Sequence, residues 1–244
     1  MRTPLIAANW KMNKTVHEAE EFVQELKNRK LPDNREVLIG APFTVLLSLT
    51  KATSGSDILV AAENMFYEEQ GAFTGEISPI QLLDVGCTHV IIGHSERRHI
   101  FGESDELLNK KLLACEKHGL IPVFCVGETL EERKADKAEA VVLGQYRAGI
   151  AGLSDEFIQN MVVAYEPVWA IGTGENATPE QAEEMHALLR KELPESTRIL
   201  YGGSVKPDNA AQLMNQPSID GFLIGGASLE IDDFYRILTV DIKK

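Results

Sequence analysis

Basic residues are scarce in this chain: 24 Lys and Arg stand against 37 Asp and Glu among 244 residues, a formal net charge of −13. A surface so acidic repels nucleic acid and anionic lipid, so neither is expected as a partner. Cysteine is scarcer still. Cys87, Cys115 and Cys125 are odd in number and lack a CxxC spacing, which argues against a disulfide framework or a structural zinc site and for reduced thiols in a cytoplasmic protein. No apolar run approaches the roughly 18 residues of a membrane span. The opening stretch MRTPLIAANWKMNK is interrupted by Asn9 and Lys11 before it could serve as a signal-peptide core. No linker, low-complexity tract or charge block divides the chain, so one domain over residues 1–244 is expected.

What is present is ordinary globular material, 44% hydrophobic and 25% charged, enough for a large core. Short aliphatic or β-branched runs recur at Leu5 to Ala8, Val37 to Gly40, Ile58 to Ala62, His89 to Ile92, Ile121 to Val126, Met161 to Tyr165, Ile199 to Tyr201 and Phe222 to Ile224. Most lack polar alternation, as strands buried on both faces of a parallel sheet do. Helical signals lie between them. Thr15 and Glu18 form a capping box, Ser78-Pro79 and Thr178-Pro179 each set a cap before a first-turn proline, and Ser104 opens a helix that Gly119 closes. Eight repeats in this length leave about 30 residues per strand-helix unit, which predicts an α/β fold: a single-domain (β/α)8 barrel of parallel strands. The competing architecture is a doubly wound open sheet, which rarely supplies eight evenly spaced buried strands without a second domain.

In such a barrel the chemistry sits at the C-terminal strand ends, and here those ends are polar. They read Asn9-Trp10-Lys11, Glu63-Asn64, Gly93-His94-Ser95-Glu96, Glu166-Pro167, Gly202-Gly203-Ser204 and Gly225-Gly226. Each glycine pair taken alone reads as a tight turn. Two pairs after the last two strands suit a phosphate, whose oxygens bare backbone N–H groups approach freely. His94, at a helix start where the dipole disfavours an imidazolium, is expected neutral; its alternative is a structural ring satisfying a buried backbone group. Glu166 is either paired with a cation or poised as a base. Pro167-Val168-Trp169 and Gly172-Thr173-Gly174 flank a short apolar middle, Ala170-Ile171, which resembles a hinged lid that would exclude water and strengthen that base. Gly172, Gly174 and Ala177 imitate a dinucleotide fingerprint but follow a loop, so no cofactor is expected, and with no His-Cys cluster no metal either. A phosphate site with Lys, neutral His and Glu suits proton transfer beside a carbonyl, the enolisation of a small phosphorylated sugar.

Six segments carry a resemblance: Ala8 to Asn13 (ANWKMN), Gly71 to Ser78 (GAFTGEIS), Ile92 to Arg98 (IGHSERR), Ala164 to Gly174 (AYEPVWAIGTG), Tyr201 to Val205 (YGGSV) and Gly225 to Leu229 (GGASL). In order and end to end, the chain resembles the triosephosphate isomerase family, a family of TIM barrels. The resemblance implies interconversion of dihydroxyacetone phosphate and D-glyceraldehyde 3-phosphate without a cofactor. It implies Glu166 as base, neutral His94 as the group polarising the carbonyl, Lys11 as the fixed cation and Asn9 as a hydrogen-bond donor beside it. Glu96 would hold Lys11 or the adjoining network, with Ser95 next to it; Gly172, Ser204, Gly225 and Gly226 would cradle the phosphate; Tyr201 and Ser204 would latch the lid. Thr74, on a long loop, would reach a second subunit near Asn9 in a homodimer. Where the family more often has Gln, this chain has Glu63, which puts a potential charge near that contact. Rival readings are an epimerase, which would want converging metal ligands, a Schiff-base aldolase, which would want a Lys deep in the barrel, and a non-catalytic phosphosugar sensor, which need not keep both Glu166 and His94.

Overall fold

A computed structural model describes residues 2–170 and 177–243. Its strands are β1 (Leu5–Asn9), β2 (Glu36–Ala41), β3 (Ile58–Ala62), β4 (His89–Ile92), β5 (Ile121–Val126), β6 (Val162–Tyr165), β7 (Arg198–Tyr201) and β8 (Gly221–Ile224). Each pairs in parallel with the next, and β8 returns to β1, closing an eight-stranded barrel with helices between the strands. The open-sheet alternative is thereby excluded. Expected and observed strands coincide to within about a residue at each end; β6 begins at Val162, because Met161 caps the preceding helix instead.

Alternation along the strands splits the core in two. Leu5, Ala7, Leu38, Ala61, Val123 and Leu200 fill the barrel, while their neighbours Ile6, Ala8, Ile39, Val60 and Ile199 pack under the surrounding helices. The register stacks these inward residues side by side, as Leu38–Ala7–Leu223 shows across β2, β1 and β8. Gly221 starts β8 with φ 146°, and a Cβ there would lie 1.9 Å from the Leu5 carbonyl oxygen. Only glycine lets this last strand close against the first.

The caps hold as expected. The Thr15 and Glu18 side chains exchange hydrogen bonds with each other's backbone, Ser78 and Thr178 cap helices with proline in the first turn, and Gly119, φ 74°, ends Asp105–His118. Each such cap contributes about 1 kcal/mol and fixes where a helix leaves the barrel rim. The stretch between β5 and β6, hard to delimit from sequence, resolves into helices Leu130–Lys134, Ala138–Ile150 and Asp155–Asn160. Among the described residues, no helix is long and apolar enough to cross a membrane.

Candidate active site

The C-terminal strand ends converge on an open cavity of about 560 Å³, lined by Asn9, Lys11, His94, Glu166, Ser204, Gly225 and Gly226 among others. β1 brings Asn9 to the rim, buried, and its Oδ1 accepts the Lys11 N–H at 3.2 Å. That contact accompanies a φ of 55° at Lys11, a left-handed conformation that a non-glycine residue adopts at a cost of about 1 kcal/mol or more. The strained turn throws the Lys11 side chain across the mouth, where its Nζ donates to Glu96 Oε1 at 2.6 Å.

β4 ends in Gly93, φ 77°, and His94 then caps the short helix Ser95–His99. The His94 Nδ1 accepts the Glu96 N–H at 3.3 Å, which leaves the ring's proton on Nε2. Nε2 lies 2.9 Å from Glu166 Oε1. The other carboxylate oxygen, Oε2, accepts the Ser95 N–H at 2.8 Å. Glu166 itself is buried, and its Oε1, although close to the imidazole, has no aligned hydrogen-bond donor.

Burial alone would drive both groups toward neutrality. For Glu166, His94 and the Ser95 N–H outweigh burial and hold the carboxyl below its ordinary range. For His94, burial lowers the imidazolium's affinity, but the Glu166 carboxylate overcomes it and the pKa is raised. The Glu166 carboxylate thus works against the neutral ring that the helix dipole favours. A full carboxylate at 2.9 Å outweighs the partial charge of a five-residue helix. The contacts with His94 and the Ser95 N–H lower the basicity of Glu166 in this arrangement.

Of the expected phosphate cradle, Ser204, Gly225 and Gly226 line the cavity; Gly172 and the rest of the expected lid at residues 171–174 lie outside the described residues. One described flank of that segment meets Ser204. Ser204 Oγ donates to the Ala170 carbonyl at 2.8 Å. Burial raises the Tyr201 phenol's pKa, and the Ala177 N–H opposes that rise. Thr74 is exposed in the loop after β3. Glu63 lies beneath Lys11, half-buried, its carboxyl pushed up to about 8 chiefly by burial, with Oε1 unpartnered.

Two residues of the site escaped the sequence reading. Glu128, fully buried after β5, accepts from Tyr165 Oη, Trp169 Nε1 and Arg133 Nη1 at 3.1, 2.9 and 3.1 Å, tying β6 to the turn at Trp169. Leu223 puts the cavity's apolar patch on β8 and could have been found by counting inward positions. Among the described residues no three His, Cys, Asp or Glu side chains converge to hold a metal ion.

A family model described as Triosephosphate isomerase matches residues 4–241. Triosephosphate isomerases of Roseiflexus sp. (strain RS-1) and Geobacter metallireducens are each 52% identical to this chain over 248 aligned positions, which cover 98% of it and 97% and 98% of theirs. That of Roseiflexus castenholzii is equally similar, with 97% of its length covered.

Proposed function

This chain belongs to the triosephosphate isomerase family and is an isomerase acting on phosphorylated trioses in glycolysis, and from that premise we propose how its residues divide the work. Glu166 takes the proton from the carbon beside the carbonyl of dihydroxyacetone phosphate and returns it to the neighbouring carbon, giving D-glyceraldehyde 3-phosphate through an enediolate. His94, with its proton on Nε2, donates to the oxygen on which charge develops, and Lys11 and Asn9 stabilise the same oxygen side. Ser204, Gly225 and Gly226 hold the phosphate, with Gly172 closing over it.

The observation that carries this reading is the Glu166 carboxylate, buried at the cavity wall with Oε1 free of any aligned donor. Leaving Ser95 for the substrate removes the two contacts that depress its basicity, so the base strengthens where it works. His94 simultaneously loses the carboxylate that raises its pKa, and burial favours its neutral form. No step calls for a cofactor or metal. The test is Glu166→Gln: turnover falls about 100-fold or more while inorganic phosphate still inhibits competitively, because the cradle is untouched. Near-normal turnover would remove Glu166 as the base.

The chain acts in the cytoplasm as one barrel domain and pairs with a second copy through the loop bearing Thr74 and the rim near Glu63. Exposed apolar side chains at Met12 and Phe101, 95% and 66% accessible, support that pairing. Sedimentation equilibrium at micromolar concentration is expected to give twice the mass of 27.0 kDa.

A further inference from the structure

The two glycine pairs at the mouth are not equivalent. A Cβ at Gly226 would meet nothing within 4 Å, and one at Gly225 would make ordinary contact with Lys11 Cε at 3.4 Å. At Gly202 it would lie 2.9 Å from Glu166 Cγ and 3.2 Å from the Tyr165 carbonyl oxygen. The backbone does not demand glycine there, for φ lies outside the left-handed region; the space does. That carbonyl already accepts the Gly202 N–H at 2.8 Å and is fixed by β6–β7 pairing, so the side chain of Glu166 is the part that would yield.

We propose that Gly202 is a positioning residue for the base: its missing Cβ forms the recess in which the Glu166 side chain lies back against Ser95 and His94. The recess has two walls. On the far side the carboxylate is already at hydrogen-bonding distance from the Ser95 N–H, 2.8 Å, and 2.9 Å from His94 Nε2. A methyl at 202 therefore cannot press Glu166 deeper and turns it outward, toward the cavity that both residues line. The parked carboxylate loses Ser95 and His94, the contacts that offset its burial, and holds its proton to higher pH. The catalytic consequence rests on reading Glu166 as the base; the recess itself does not.

The test is Gly202→Ala, with Gly144→Ala, where an added methyl meets nothing within 4 Å, as control for a glycine-to-alanine change. For Gly202→Ala the acid limb of the kcat/KM profile is expected to move up by about one pH unit, with kcat down ~10- to 100-fold. Inhibition by inorganic phosphate should stay within ~3-fold of wild type, since the cradle oxygens approach elsewhere. Gly144→Ala should leave both limb and turnover unchanged. A limb that stays in place in Gly202→Ala overturns the proposal, as does loss of phosphate binding in step with turnover. Thermal melts supply the second arm. Gly202→Ala should lower the melting temperature in the wild-type background but not in Glu166→Ala, where the clashing Cγ is gone. If Gly202→Ala alone does not fold, the double variant still must. A penalty that persists without Glu166 would mean that the Tyr165 carbonyl excludes the methyl, and the recess is not made for the base. Full activity of Glu166→Ala would instead refute the base and leave the thermal arm readable.

Discussion

At the N-terminal end of the barrel, Arg198 Nη1 meets Glu36 Oε2 at 2.5 Å, and Asp220 accepts from Arg2 Nε at 2.7 Å, Arg190 Nη2 at 2.5 Å and the Ile199 N–H at 2.9 Å. At the C-terminal end, Lys11 rests on Glu96 and Glu166 rests on Ser95 and His94. Both ends hold buried or half-buried ions, yet their partners differ in kind. The floor joins residues that have no other task, so its pairs only hold strands together. The mouth joins groups that, on the function proposed above, a substrate would also engage, so its contacts would be placeholders that turnover exchanges. Charge on the floor should therefore register in stability and charge at the mouth in rate.

The sharpest test of that division is Lys11→Met, which removes the mouth's fixed cation and relieves nothing on the floor. Its kcat/KM is expected to fall about 100- to 1,000-fold, the usual loss for one group that stabilises developing negative charge. Asp220→Asn should do the reverse. Breaking a buried pair on one side strands the arginines and costs about 3 to 5 kcal/mol by denaturant melts, with kcat/KM of the folded enzyme unchanged within ~3-fold. A large rate loss from Asp220→Asn would break the comparison.

Glu63 sharpens it from the other side, as a mouth-end carboxylate without a catalytic task. Its folded pKa of about 8 lies above the ordinary 4.5, so stability is full at low pH, declines as pH rises past 4.5 and levels off above 8. Glu63→Gln should thus stabilise the protein at pH 8 by about 2 to 3 kcal/mol, reduced from full burial by partial exposure, with the gain vanishing toward pH 4. An advantage that grows toward pH 4 would mean that a cation stabilises Glu63. The smallest effect belongs to His89, in the floor beside Arg198 and Glu36. Burial, then Arg198, lowers its pKa to about 4 from 6.5. Above pH 6.5 neither state binds the proton; between 6.5 and 4 the unfolded chain does, and stability falls. His89→Gln should remove about 1 to 2 kcal/mol of that acid loss at pH 5 and change nothing at pH 8.

The strands were legible because parallel strands buried on both faces show as unbroken apolar runs, and the site followed from what stands just after each run. Asn9, Lys11, His94, Glu166, Ser204 and the last glycine pair were reached in that way, and all line one cavity. What stayed hidden depends on side-chain conformation or distant packing. The His94 ring's proton affinity balances burial against Glu166, 72 positions away, whose rotamer no local pattern encodes. Glu128 gave no local signal, because its partners Tyr165 and Trp169 arrive from another strand end. The positive φ at Lys11 has no glycine or asparagine to announce it.

The meeting of β8 with β1 also governs the order of assembly. The other seven pairings join strands that neighbour each other along the chain, whereas Leu5↔Gly221 joins its two ends. A growing polypeptide can align β1 to β7 early but carries an open edge at each end until Gly221–Ile224 emerges, and open parallel edges invite pairing with other chains. Gly225 and Gly226 follow β8 directly, so the cavity that Lys11 and Glu166 also line lacks this part of its wall until β8 is in place. Chains interrupted before residue 221 therefore combine an adhesive edge with an unfinished cavity, and the barrel closes its edge and completes its cavity in the same step.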